Sequence, residues 1–208
     1  MIDFTPKKLP KQARSRASFD AIIEASAQLL SGGTYEALTT NHIAQRAGVS
    51  IGTLYEFFSN KETIIAILAE RRMQALVTVM QNALIPASSM RPWEGVAHIL
   101  ESAVATMVAE RDVYHALLRQ IPFVRQLPAV RASRAAMTDF TQMIRVRSAD
   151  VLNLPAPEMD AWLISQMLSN AILEIAFRNT DAATRAVLTR ELARLTYRMA
   201  VGRDPEAG

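Results

Sequence analysis

Along most of this chain apolar residues recur every three or four positions, the period of a helix with one face turned inward. No run alternates apolar with polar residues as a half-buried strand would, and no segment repeats. From about Arg16 to Ser31, Phe19, Ile22, Ile23, Ser26, Leu29 and Leu30 share one side, and Gly32-Gly33 ends the run. A shorter run starts at Thr39 and Thr40, with Ile43, Ala44 and Ala47 on one face. Gly48 breaks it, since glycine reaches positive φ without a Cβ penalty. Ser50 then stands where a second helix needs an N-cap, and Leu54, Phe57 and Phe58 follow at helical spacing. Two short helices joined by a tight glycine turn form a helix-turn-helix, whose second helix fits a DNA major groove.

The pattern continues to the end of the chain. Ser59-Asn60-Lys61-Glu62 predicts a capping box, Ser59 as N-cap with Glu62 three residues later. The helix it opens runs to about Leu84, stopped by Pro86 and by Ser88 and Ser89, and no linker separates its first turns from its later ones. One continuous helix of this kind can carry a displacement from one domain to the next. Pro92 opens a helix to about Ala109, Asp112 a shorter one ended by Pro122, and Pro128 a long one to about Leu152. Pro155 and Pro157 punctuate the chain before a helix from Glu158 to Arg178, and Asp181 leads a last helix to Gly202.

The last two helices have their own pattern. In the first, Trp162, Leu163, Ile164, Met167, Leu168, Ala171, Ile172, Ile175, Ala176 and Phe177 cover more than half the circumference, which predicts burial on two sides. In the second, Leu188, Leu192, Leu195 and Met199 recur at steps of four and three, a seam for another helix. A monomeric core pair would satisfy both patterns. A four-helix homodimer interface containing Leu168, Ile172, Leu188, Leu192, Leu195 and Met199 satisfies them too, and suits a helix-turn-helix that reads two half-sites.

Composition narrows the class. The 208 residues suffice for a small domain and a larger one, and half of them are hydrophobic with only seven glycines, as a helical protein requires. The net charge of +3 permits a nucleic-acid partner. Its distribution says more, because Lys7, Lys8, Lys11, Arg14 and Arg16 crowd the N-terminus, where Pro6 and Pro10 break a polar segment. That segment is read as a flexible arm, either reaching phosphates or a minor groove or merely keeping the chain in solution. Without cysteine there are neither disulfides nor thiolate metal sites. The N-terminus has no secretory apolar stretch and no apolar run would span a bilayer, so a cytoplasmic protein with no membrane partner is expected.

At the residue level, Ile51, Gly52 and Thr53 form the first turn of the recognition helix, behind the Ser50 cap, where base edges are reached. Gly52 keeps that surface low. Thr39 and Thr40 open the preceding helix with Asn41, where free N–H groups favour a phosphate. Leu54, Phe58, Ile43 and Ala47 are expected in the small core. The run T-T-x-x-I-A-x-x-A-G-V-S-x-G-x-L-Y-x-x-F-x-x-K-E, Thr39 to Glu62, resembles the DNA-binding domain of the TetR family of bacterial transcriptional regulators. By position in that motif, Tyr55 and Lys61 are implied to contact phosphates. The family has glycine where Thr34 stands and His or Tyr where Phe57 stands, so Phe57 is assigned no polar DNA contact. The resemblance implies negative control of nearby genes. It also implies an all-α organisation: a basic arm at 1–15, a three-helix DNA-binding domain at 16–62, a regulatory and dimerisation domain at 63–203 and a tail at 204–208.

The larger domain offers a candidate pocket for a small apolar effector: Met107, Tyr114, Phe123, Met137, Phe140, Met143, Trp162 and Met167, among ten adaptable methionines. Gln166, Asn170, Glu174 and Arg178 fall at successive steps of four. Facing solvent they are an ordinary polar stripe with one ion pair; facing inward, Gln166 and Asn170 become polar anchors of the pocket. Enzyme chemistry finds little support. His42, His98 and His115 are scattered, the paired Glu-x-x-His motifs of a di-iron bundle are absent, and there is no phosphate loop or nucleophile elbow. No cofactor or metal is expected. The reading is a dimeric, ligand-released repressor of a double-stranded operator; the alternatives are a regulator without a ligand, an activator, or a helical-bundle metalloenzyme.

Overall fold

The computed structural model describes residues 4–147 and 157–201, and every regular element among them is helical. Helix α1 (Ala13–Ser31) starts three residues before the expected Arg16, inside the segment read as a free arm. Ser15 is the cause: its Oγ accepts from the Gln12 N–H at 3.3 Å and donates to the Gln12 carbonyl at 2.9 Å. Helices α2 (Thr40–Ala47) and α3 (Ile51–Phe57) follow. Gly48 between them has φ +67°, the left-handed conformation that ends a helix, and its N–H returns to the carbonyls of Ala44 and Gln45.

Helix α4 (Lys61–Ala87) begins where expected but is capped one residue later than the sequence suggests. Asn60 Oδ1 accepts from the Thr63 N–H at 2.8 Å and from Thr63 Oγ1 at 2.9 Å, so Asn60 and Thr63 take the places expected of Ser59 and Glu62. Glu62 instead accepts a hydrogen bond from Tyr35 Oη at 2.9 Å. Asn60→Ala is therefore expected to destabilise the fold by about 1 kcal/mol while Ser59→Ala stays within about 0.5 kcal/mol, as urea denaturation of the two variants would show.

Beyond α4, α5 (Pro92–Ala109) follows its expected bounds. The helix expected from Asp112 is in fact short, α6 (Arg111–His115), and widens into a π turn over Ala116–Gln120. Pro122 holds Ile121 in an extended conformation, φ −108° and ψ 99°, so the helix must end there. A 3₁₀ turn over Pro122–Gln126 then leads to α7 (Pro128–Arg147), which opens at the expected Pro128. The expected end at Leu152, Pro155 and the 204–208 tail lie outside the described residues. Helices α8 (Pro157–Phe177) and α9 (Ala182–Val201) complete the chain; Asp181 Oδ1 accepts from the Thr184 N–H at 2.8 Å to start α9.

The chain divides into two compact units, one of residues up to Met73 with Glu110–Val130, the other of Gln74–Ala109 with residues from Arg131 on. In the first, α1 packs on α2, α3 and α6. Its centre is the aromatic group Phe19, Phe57 and Phe58, with ring centroids 4.7–6.1 Å apart, closed by Ile22, Ile43 and Leu54. In the second unit, α5, α8 and α9 pack on one another. Gly95 lets α5 approach the end of α4: a Cβ there would sit 2.9 Å from the Ala87 carbonyl oxygen. Helix α9 turns Thr189, Ala193, Thr196 and Tyr197 inward, and both threonines give their hydroxyls to the carbonyl four residues back.

Candidate nucleic-acid interface

The two short helices present a continuous polar edge. Thr39 caps α2, its Oγ1 accepting from the His42 N–H at 3.2 Å. Thr40 and Asn41 follow in the first turn, Asn41 exposed. Tyr55 reaches across from α3, so that its hydroxyl lies 3.1 Å from Thr40 Oγ1 and two hydroxyls from different helices sit side by side. Each keeps hydrogen-bonding capacity beyond that contact. Ser50 caps α3, accepting from the Thr53 N–H at 3.0 Å and lying 2.9 Å from Thr53 Oγ1. Thr53 is thus half-buried and tied to its own cap, while Ile51 and Gly52 are exposed beside it. A Cβ on Gly52 would find only Ser50 Oγ, at 3.7 Å, so nothing inside the chain requires glycine there.

Phe57 is 3% exposed and edge-on to Phe19, which accounts physically for a position that offers no polar contact. Ala47, expected in the core, is half-buried. Lys61 sits differently from the phosphate role implied by position. Its Nζ donates to the carbonyls of Tyr35 and Leu38, both at 3.0 Å, and lies 4.3 Å from the centre of the Tyr35 ring. Burial and the Glu62 carboxylate beside it push the Tyr35 hydroxyl well above the usual phenol range, so Tyr35 remains a donor. Tyr35 is a residue that the periodicity alone did not single out; its only signal was an aromatic in an otherwise polar turn.

The arm holds a second surprise. Lys7 is not free: its N–H donates to the Phe57 carbonyl at 2.8 Å and its Nζ to the Tyr55 carbonyl at 3.1 Å. Phe4 stacks on Phe123, ring centroids 4.9 Å apart. Lys8, Lys11, Arg14 and Arg16 are exposed.

The residues grouped as a pocket do not all meet. The second unit contains a cavity of about 340 Å³ lined by Leu84, Met90, Val96, Ile99, Phe140 and Met143 among others. A smaller hollow of about 190 Å³, bounded by Val77, Met80 and Ala136, shares Leu84, Phe140 and Met143 with it. Of the expected residues, Phe140 and Met143 line this space, and Met107 and Met137 are buried. Tyr114 and Phe123 belong to the first unit, where Tyr114 Oη donates to the Arg72 carbonyl at 3.0 Å. Trp162 and Met167 are 51% and 57% exposed, and Asn170 is exposed with its amide turned back to the Gln166 carbonyl at 3.0 Å. The stripe that Gln166 and Asn170 begin thus runs through exposed Asn170, Glu174 and Arg178. Among the described residues, the side of α8 that bears Trp162, Leu163 and Met167 is left open.

The same logic corrects two of the expected interface positions. Leu168 and Ile172 are 1% and 2% exposed, held in the core against the chain's own helices. Leu188 and Leu192 are half-buried, whereas Leu195 and Met199 are open, on a side of α9 away from its buried threonines. Among the described residues no three His, Asp or Glu side chains converge to hold an ion, and no helix is long and apolar enough to cross a membrane.

Comparison with known proteins bears on this surface directly. Residues 22–67 match the family model described as bacterial regulatory proteins, tetR family. Over 183 residues the chain is 27% identical to the HTH-type transcriptional repressor KstR of Rhodococcus jostii strain RHA1, spanning 82% of this chain and 80% of that one. Among solved structures, the fatty acid degradation regulator FadR of Bacillus halodurans is similar at a TM-score of 0.71 and 17% identity, covering 91% of this chain and 97% of that one. FadR of Bacillus subtilis, solved in complex with stearoyl-CoA, is similar at 0.68 and 18% identity, covering 86% and 97%. At such identities these two likenesses concern the fold.

Proposed function

We propose, starting from the match of residues 22–67 to the tetR family model and from the likeness to KstR over most of the chain, that this chain is a TetR-family repressor which binds a palindromic operator as a homodimer and is released by a small apolar molecule. The family is one of DNA-binding regulators, not of enzymes. In this reading residues 16–62 are the DNA-reading head and 63–203 the regulatory and dimerisation domain. Thr39, Thr40, Asn41, Ser50, Ile51, Gly52, Thr53 and Tyr55 face the duplex. The hydroxyls of Thr40 and Tyr55 serve one phosphate, and the Gly52 surface admits base edges.

The observation that carries the effector reading is the apolar cavity bounded by Leu84, Val96, Ile99, Phe140 and Met143. Its volume is in the range of small-molecule sites, and its lining side chains are apolar except for Ser88. A solved relative in fold holds stearoyl-CoA, which makes long aliphatic acyl compounds the first candidates. A dimer on a palindrome needs its recognition helices about 34–36 Å apart. A ligand that binds better when the heads are splayed shifts the population off DNA, and on the order of a few kcal/mol of differential binding suffices.

Footprinting of the DNA flanking its own coding region tests this. The expected result is protection of two symmetric half-sites about one turn apart, lost on adding long-chain acyl-CoA. Protection that persists at saturating concentrations of free and CoA-linked acyl chains would remove the effector from the proposal.

A further inference from the structure

We propose that residues 4–11 form a clasp on the DNA-reading head and that Phe123 is its anchor, a positioning residue that acts on the recognition helix through Phe4 and Lys7. A solubilising tail would have no fixed partner; this segment has several, Phe123, Phe57 and Tyr55 among them. The Phe4 ring lies on Phe123 with an interplanar angle of 18°, and Phe123 meets Tyr35 edge-on, centroids 6.2 Å apart. Phe123 sits in the 3₁₀ turn between Ile121, Val124 and Leu127, which are at most 5% exposed, so the platform is held from below.

Three residues after Phe4, Lys7 closes the end of α3. The last carbonyls of a helix have no partner within it and carry the negative end of its dipole. Helix α3 has seven residues and no basic side chain in its last turn. Lys7 supplies what is missing: one N–H to the Phe57 carbonyl, and one charged donor to that of Tyr55, the residue whose hydroxyl faces outward beside Thr40. The stack also adjoins Tyr35, whose carbonyl is held by Lys61 and whose hydroxyl is held by Glu62 at the start of α4. One aromatic contact thus ties a turn beyond residue 120 to both ends of the reading surface, and holds the arm bearing exposed Lys8 and Lys11 in place. The inference rests on DNA binding alone, not on the effector or the dimer.

The test uses the full chain, a random-sequence duplex at low ionic strength, and amide hydrogen exchange. Phe4→Ala and Phe123→Ala are each expected to weaken duplex binding roughly three- to tenfold. The double variant should bind no more weakly than either single one, because the two rings act as one contact. In both single variants the Lys7 amide loses protection while those of Ile22 and Leu54 keep theirs, and Phe4→Trp, which retains a stacking ring, restores affinity. If Phe123→Ala folds poorly, Phe4→Ala carries the test, since its ring is only half-buried. Additive losses, affinity lost with the Lys7 amide still protected, wild-type affinity in Phe4→Ala, or a Lys7 amide that exchanges freely in the wild type would each overturn the clasp.

Discussion

Replacing Leu195 and Met199 together by glutamate is expected to yield a folded monomer that binds operator DNA at least about a hundredfold more weakly than the wild type. The size of the effect follows from linking two heads, where the second contact is made at a high effective concentration and raises avidity by roughly 10²–10⁴. The choice of residues follows from exposure. Leu195 and Met199 are 43% and 38% exposed, and Val187 on the same helix 67%. Helix α8 adds Trp162, Leu163 and Met167, each about half exposed. Covering a half-exposed apolar side chain contributes about 1 kcal/mol. Counted on both subunits of a two-fold pair, the sum is on the order of ten kcal/mol, comparable with the cost of association. Leu168 and Ile172 would be poor choices, because removing them opens the chain's own core. In the proposed two-fold pair two glutamates per subunit would meet their symmetry mates, so repulsion would add to lost burial. Sedimentation of the purified variant checks the first half and duplex titration the second. A wild type that sediments as a monomer at working concentration would sink the dimer itself.

Lys61→Ala is expected to cost about 2–3 kcal/mol of stability, the loss of two hydrogen bonds from a charged donor together with a cation–π contact. Two of the three ammonium donors go to the carbonyls of Tyr35 and Leu38, which join the turn after α1 to the start of α4. Without Lys61 both carbonyls lose a partner at a half-buried site, and the turn that carries Thr39 loosens. DNA affinity then falls through the head's geometry rather than through a single phosphate. Tyr55→Phe makes the contrast. Its hydroxyl lies on the surface beside Thr40, so stability should stay within about 0.5 kcal/mol while duplex binding weakens several-fold across sequences. Thermal melts of the two variants beside a salt series of duplex titrations separate these outcomes. Equal melting temperatures for Lys61→Ala and the wild type would show that its two carbonyl contacts carry no weight.

Much of the helix-turn-helix surface is legible in the local sequence. The Gly48 turn, the Ser50 cap and the burial of Leu54 and Phe58 follow from interactions within a few residues, where backbone chemistry and helical period leave few alternatives. The cap of α4 shows how narrow the margin is. Ser59 and Asn60 are both good caps, and only the path of the chain into the helix selects Asn60. The candidate pocket fared less evenly, because an apolar residue at a helix-face position can face a cavity, a core or a solvent-exposed side with the same sequence pattern. Phe140 faces the first, Met107 the second and Met167 the third.

By itself the sequence determined the helical pattern, a helix-turn-helix with its exposed first turn, and the resemblance of that stretch to the tetR family, since each is written in local spacing. Tertiary structure alone decided three further things: which side of α8 and α9 remains uncovered, that Lys61 is occupied by carbonyls from a distant turn, and that Lys7 and Phe4 are held. The physical reason is common to all three. A side chain's partner is set by which segment reaches it first, and segments far apart along the chain leave no mark on each other's periodicity.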